Sequence, residues 1–220
     1  MEKEKEKPYE MRTTKADMVK EPITMYGALD LDMSQRYTYH DYLSWLDDKR
    51  WELINGFVHL MSAPIRRHAH AILKISARID SFIEKRNGNC RVYPAPFDVR
   101  LPLYGSTDDD KIYDVVQPDI CVICDLTKLD EKGCIGAPDL IVEVTSPSTM
   151  KYDWNYKLTL YETAGVREYW IVNPKTKITH VFILQPDGRY DLGTEYESNQ
   201  KAPVSIFDGL EIDLNEIFED

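Results

Sequence analysis

The feature that most restricts this chain is a carboxylate inside an apolar strand. The run Leu140-Ile141-Val142-Glu143-Val144 has the length and β-branched content of a strand covered on both faces. An ionised glutamate is costly to bury there unless it is paired or bound to a cation. Any fold open to this sequence must therefore bring a compensating partner to Glu143. Two other acids stand at strand starts. Asp119 follows Pro118 and opens Ile120-Cys121-Val122-Ile123, and Asp139 follows Pro138 and opens the Glu143 strand. Asp139 is expected to cap or turn the chain after its proline.

The rest of the pattern supplies strands and a few helices. Asn55-Gly56 separates Trp51-Glu52-Leu53-Ile54 from Phe57-Val58-His59-Leu60, which predicts a hairpin whose two turn residues take positive φ, with Glu52 on its first strand. Thr38 is placed to cap a short helix over Tyr42, Leu43, Trp45 and Leu46, with Asp41 completing a capping box. From about Arg66 to Arg86, Ile72, Ile75, Ile79 and Phe82 recur at helical spacing, and Gly88 ends the run. Strands are expected over 91–101, 115–124 and 140–145. A helix should follow from about Tyr152 to Thr163, stopping at Gly165. Further strands should cover 168–172 and 178–184, then a last hairpin around Pro186-Asp187-Gly188 and a short segment over 214–218. Strands fill the middle and helices flank them, so the class is α/β or α+β with a mixed sheet, not a regular βαβ array. Residues 1–35, which open with alternating Glu and Lys, read as a charged tail, disordered or loosely packed around Met25-Tyr26, ahead of one domain over 36–220.

Composition removes several function classes. Hydrophobic residues make up 43% and charged residues 30%, as in an ordinary globular domain. No apolar run approaches the roughly 20 residues of a membrane span. The N-terminus lacks the apolar stretch of a signal peptide, so a cytoplasmic location is expected. A net charge of −11 opposes wholesale capture of nucleic acid through counterion release. It leaves room for a local basic face such as Arg67, Lys74, Arg78 and Lys85 on the outer side of the long helix. His68 and His70 are two apart and do not face one another on that helix, so they are not expected to share a ligand. Trp154 and Tyr156 could stack on bases, although packing of their helix on the sheet is the commoner use. Cys121 and Cys124 form a CxxC, but residues three apart on a strand point to opposite faces, which excludes one shared metal. The four cysteines, with Cys90 and Cys134, are expected to be buried thiols of a reducing compartment.

Hard carboxylates meeting on adjacent strands make an oxygen-rich site of the kind magnesium prefers. Such an ion can activate a water and stabilise charge on a phosphodiester. A nearby lysine would complete the set. Lys157 qualifies, because it shares a helix face with Asp153, to which it could instead simply pair. Likewise, Glu143 read alone could be a structural acid at a strand end, and Glu52 a solvated hairpin residue.

These residues occur in a specific order. Trp51-Glu52-Leu53-Ile54-Asn55-Gly56 is followed by Val116-Gln117-Pro118-Asp119-Ile120. Then comes Gly136-Ala137-Pro138-Asp139-Leu140-Ile141-Val142-Glu143-Val144-Thr145-Ser146-Pro147-Ser148-Thr149. Asp153, Lys157, Tyr161, Ala164-Gly165-Val166 and Glu168-Tyr169-Trp170-Ile171-Val172 complete the set. Pro118-Asp119 with Glu143 resembles the PD-(D/E)XK signature of restriction-endonuclease-like nucleases. The ordered set resembles the Uma-two family within that superfamily, from about Tyr37 to Phe218. The resemblance implies a restriction-endonuclease-like fold, a central mixed β-sheet flanked by helices, with extra hairpins toward both termini. It implies Asp119 and Glu143, with Glu52 as a third acid, as ligands of Mg2+ or Mn2+. The signature expects lysine at 145, where this chain has Thr145; Lys157 from the following helix fits the role, and Lys151 is the fallback. The function implied is a metal-dependent endonuclease hydrolysing DNA phosphodiesters, with Arg67, Lys74 and Arg78 available to phosphates and a homodimer plausible for cutting both strands. A non-catalytic DNA-binding or assembly module on the same fold is the alternative, favoured by Thr145 and the acidic charge. Paired carboxylates could also serve a hydrolase of another ester or a glycosidic bond.

Overall fold

The structure, a computed structural model, describes residues 31–46, 49–61, 65–146 and 150–219. The charged segment up to residue 30, with Met25 and Tyr26, lies outside the described residues, as do 147–149 and the side chain of Lys151. In chain order the strands are β1 (Trp51–Ile54), β2 (Phe57–Leu60), β3 (Arg91–Pro94), β4 (Val99–Arg100), β5 (Val115–Val116), β6 (Ile120–Ile123), β7 (Leu129–Asp130), β8 (Gly133–Ile135), β9 (Leu140–Val144), β10 (Glu168–Asn173), β11 (Ile178–Ile183), β12 (Thr194–Glu197), β13 (Lys201–Pro203) and β14 (Glu211–Asp213). The helices are α1 (Tyr39–Tyr42), α2 (Arg66–Lys85), α3 (Met150–Tyr152), α4 (Leu158–Ala164) and α5 (Leu214–Phe218); a π-helical segment, Asp153–Lys157, joins α3 to α4.

Two mixed sheets carry the fold. One has the order β2-β1-β5-β4-β8-β7 and the other β12-β11-β10-β9-β6-β3, while β13 and β14 form a separate hairpin. β9 runs parallel to β10 and antiparallel to β6, so the Glu143 strand has a neighbour on each side. Strand alternation divides the core. Ile120, Val122, Leu140, Val142, Val144, Trp170 and Val172 face a cluster with Ala71, Ile75, Ile79 and Ile83 of α2 and with α5. Cys121, Ile123, Ile141, Tyr169 and Ile171 face the opposite way, toward Leu160 and Tyr161 of α4 and toward Val99 and Val116 of the first sheet. The outer side of the first sheet packs Trp51, Leu53 and Val115 against Tyr39 of α1.

Local expectations hold at the caps and turns. Thr38 and Asp41 form the capping box, although α1 is a single turn over Tyr39–Tyr42. Asn55 and Gly56 take φ of 51° and 82° in the β1–β2 turn, and Gly165 caps α4 at φ 86°. The left-handed residue after α2 is Asn87, not Gly88, although the Gly88 N–H does return to the Ile83 carbonyl.

Three expectations are corrected. The strands anticipated over 91–101 and 115–124 each divide between the two sheets, β3 from β4 and β5 from β6. Pro96, after a cis peptide, and Pro118 sit at the breaks, where a residue without an N–H cannot continue a ladder. The hairpin around Pro186-Asp187-Gly188 does form, as β11 pairs antiparallel with β12 and Leu184 bridges Tyr190, but it is not the last, because β13–β14 follows it. The cysteines are not all thiols. Cys90 and Cys124 form a disulfide, and only Cys121 and Cys134 are free and buried. The opposite-face argument for the CxxC stands, because Cys121 packs in the inter-sheet cluster and Cys124 on the α2 side. What sequence spacing could not show is that β3 pairs with β6 and carries Cys90 alongside Cys124. Among the described residues no helix is long and apolar enough to cross a membrane.

The disulfide yields a direct check. Denatured without reductant, the protein should titrate only the thiols of Cys121 and Cys134, and all four cysteines after reduction. Reduction should lower unfolding stability by about 2–4 kcal/mol, measured by urea denaturation.

Candidate active site

Short segments at 95–98, 117–119, 124–128 and 136–139 carry the chain between the sheets. The crossing at 117–119 delivers Asp119 to the end of β9. The same stretch turns the Gln117 backbone N–H toward Glu52, whose Oε1 accepts it at 2.9 Å. Trp51 and Leu53 point to the outer core of the first sheet, so Glu52 between them points inward, on the side where Ile54 meets the inter-sheet cluster. Glu143 follows Ile141 on the face of β9 that looks into the same layer.

Lys157 enters that layer from the π-helical segment, whose buried residues are Asp153 and Lys157. Such wider turns recur at functional sites. The Lys157 ammonium donates to Glu52 Oε1 at 2.9 Å and to Glu143 Oε1 at 2.9 Å. The Tyr161 hydroxyl, one helical turn further on, also donates to Glu143 Oε1, at 2.7 Å. Asp119 sits beside them. Its Oδ2 accepts the Val144 N–H at 2.8 Å, and its Oδ1 lies 3.0 Å from His68 Nε2 at the start of α2. Relative exposures are 2% for Glu52, 7% for Asp119, 4% for Glu143 and 3% for Lys157, so water screens none of these charges well.

The charges do not balance locally. Burial, and then the negative charges of Asp119, Asp153 and Glu52, push the Glu143 carboxyl up to about 8, against the downward pull of Lys157. Burial opposes the charge on Lys157, but Glu143, Glu52 and Asp153 outweigh it and hold the ammonium well above the ordinary lysine range. Burial likewise raises the Tyr161 phenol, which keeps it a donor. Asp119, Asp153 and Glu52 thus act on Glu143 against a single buried lysine, Lys157.

The donor set fits a hard divalent cation in its chemistry: carboxylate oxygens in excess of positive charge. Two buried hydroxyls point the same way. Thr145 Oγ1 and the Tyr152 hydroxyl have no hydrogen-bond partner among the described residues. In this arrangement no group of three His, Cys, Asp or Glu among the described residues converges on one ion position. Lys157 takes an oxygen from each glutamate and His68 takes one from Asp119.

All four expected site residues therefore meet around one layer. Lys157 is tied to Glu52 and Glu143 across the sheets. Asp139 instead accepts the Cys124 N–H at 2.8 Å and pairs with Arg167 at 2.9 Å, a structural role at the turn. The basic stripe of α2 is used unevenly. Arg67 is exposed, Lys74 is half-buried, and Arg78 is bound to Glu216 of α5. Trp154 packs edge-on against His180 and Phe182, whereas Tyr156 is 60% exposed. The sequence reading missed His68 and Tyr161 as members of the site. Both left a signal. His68 is in phase with Ala71, Ile72 and Ile75 at the head of the buried stripe, and Asp153, Lys157 and Tyr161 recur every four residues along one face.

Removing one member of a buried ion cluster strands the others. Lys157→Met should cost about 3–5 kcal/mol in urea denaturation, because Glu52 and Glu143 lose their buried cation. Arg167→Met, which removes an exposed guanidinium and leaves Asp139 its bond from the Cys124 N–H, should cost less, about 1 kcal/mol.

Known proteins resemble this chain in sequence and in fold. "Uncharacterized protein slr1290" of Synechocystis sp. is 24% identical over 181 residues, covering 81% of this chain and 89% of its own length. The fold is shared with the crystal structure of "a putative nuclease belonging to DUF820" from Anabaena variabilis, with a TM-score of 0.66 at 18% identity, over 83% of this chain and 97% of that one. The Uma2 family, described as "Putative restriction endonuclease", matches residues 39–215, which include Glu52, Asp119, Glu143 and Lys157, and the chain belongs to that family.

Proposed function

We propose that this protein is a metal-dependent endonuclease that hydrolyses phosphodiester bonds in DNA. The observation that carries the reading is the surplus of buried carboxylate around Glu143, which Lys157 alone does not neutralise. Membership of the family described as "Putative restriction endonuclease" and a fold shared with a protein titled "a putative nuclease" support it. Asp119, Glu143 and Glu52 would hold magnesium or manganese, which when bound supplies an activated water and Lewis-acid stabilisation of the phosphorane charge.

The chain's own groups prepare that chemistry. Tyr161 and Lys157 hold Oε1 of Glu143, and the Val144 N–H holds Oδ2 of Asp119, so both carboxylates are fixed before ligand arrives. His68 sets the other oxygen of Asp119. The Lys157 ammonium stands where charge on a phosphoryl oxygen would be offset, taking the part of a lysine at 145. A homodimer would offer one such site to each strand of a duplex. A second reading, a non-catalytic DNA-binding module, draws on one observation: Lys157 already engages both glutamates.

Two measurements separate these readings. Manganese titrated by calorimetry should bind the parent and not Asp119→Ala. With manganese, the parent should cleave plasmid DNA, and Glu143→Ala should be at least about 100-fold slower with an unchanged circular dichroism spectrum. Metal binding without turnover would favour the binding module, and full activity in excess chelator would sink the metal-dependent mechanism.

A further inference from the structure

Buried hydroxyls without partners are rare, because each forfeits its bonds to water at a cost of about 1–3 kcal/mol. Two of them flank the Glu143–Lys157 ion pair. Thr145 stands two residues beyond Glu143, roughly 7 Å along an extended chain. Its N–H continues the parallel ladder by donating to the Val172 carbonyl at 2.7 Å, so by alternation it follows Glu143 on the inward face. It is 4% exposed, and its Oγ1 has no partner among the described residues. Tyr152 stands five residues before Lys157. Its ring lies 4.7 Å from that of His59 and its centroid 5.8 Å from the Lys157 ammonium, and its hydroxyl is buried and likewise without a partner. The other unpartnered hydroxyls among the described residues, Ser76 and Thr179, belong to α2 and β11, outside this layer.

Resting on the nuclease reading above, we propose that Thr145 and Tyr152 are catalytic residues whose hydroxyls donate hydrogen bonds to the non-bridging oxygens of the substrate phosphodiester. The chemistry suits the position. A phosphoryl group has acceptor oxygens only, and the buried Lys157 ammonium is already directed to two carboxylates. Neutral donors add contacts to an anion without adding buried charge. Both hydroxyls meet their acceptor only when ligand is bound, so their folding cost is recovered in the complex. The same argument gives Thr145 a positive role at the place where the signature has lysine.

Thr145→Val and Tyr152→Phe remove little but the oxygen. Each full-length variant is compared with the parent in two measurements. The first is the unfolding midpoint without ligand. The second is the affinity for a fluorescent single-stranded DNA oligonucleotide, and for its duplex, with calcium in place of magnesium. Inorganic phosphate serves as competitor and as ligand alone. Expected are midpoints equal to or above the parent's, together with an oligonucleotide affinity lower by about tenfold or more. Stability and binding then move in opposite directions, which a purely structural hydroxyl would not produce. Lower midpoints with unchanged affinity would overturn the inference and make the hydroxyls internal supports. Unchanged affinity in a parent that cleaves DNA would overturn it while the nuclease reading stands. If phosphate alone raises the parent's midpoint but neither variant's, and no oligonucleotide binds, the hydroxyls hold a phosphate and the nucleic-acid reading falls. A parent that binds neither overturns the inference.

Discussion

The ammonium of Lys157 ties Glu52 of one sheet to Glu143 of the other, and much of the architecture is arranged around that contact. A buried lysine between two buried glutamates contributes little net stability compared with an apolar replacement, yet it is costly to break. The fold accordingly surrounds it with fixed donors. The Gln117 N–H holds Glu52 and Tyr161 holds Glu143, while the Val144 N–H holds Asp119 nearby. Polar geometry of this kind specifies how the two sheets meet, where apolar side chains alone would tolerate sliding.

That requirement accounts for the crossings. Two sheets joined only by long loops would not place a carboxylate from each within one ammonium's reach. Here short segments at 95–98, 117–119, 124–128 and 136–139 pass directly from one sheet to the other. Pro118 ends one ladder, and Asp119, whose carbonyl accepts the Ala95 N–H beside β6, sends its side chain to the Val144 N–H. The apolar side of the second sheet, closed by Ile75 and Ile79 of α2, provides the rigid wall against which this placement is made.

Function and stability compete in the same layer. Burial, and then excess negative charge, raises the Glu143 carboxyl, and hydroxyls without a partner among the described residues stand in the same layer. A chain selected only to fold would replace such groups with packed hydrocarbon. Their presence in the same layer supports the proposal of a site for a charged ligand.

Much of this was legible in the residues themselves. An acid inside Leu140–Val144 had to find a partner, because burying an unpaired charge costs more than any single strand contact returns. Asn55-Gly56, the Thr38 cap and Gly165 declared their turns through local backbone preferences that hold in any context. The helical repeat of Asp153 and Lys157 announced a shared face, though not what that face would meet. Tertiary structure alone decided the division of 91–101 and 115–124 between sheets, since each break depends on which strand lies alongside. It alone paired Cys90 with Cys124, brought His68 to Asp119 from across the second sheet, and set Glu52 opposite Glu143. The disulfide, the His68–Asp119 pair and the Lys157–Glu52 pair join residues 34, 51 and 105 positions apart. Local sequence encodes which groups cannot be buried alone, and only the packed chain decides which of them end up together.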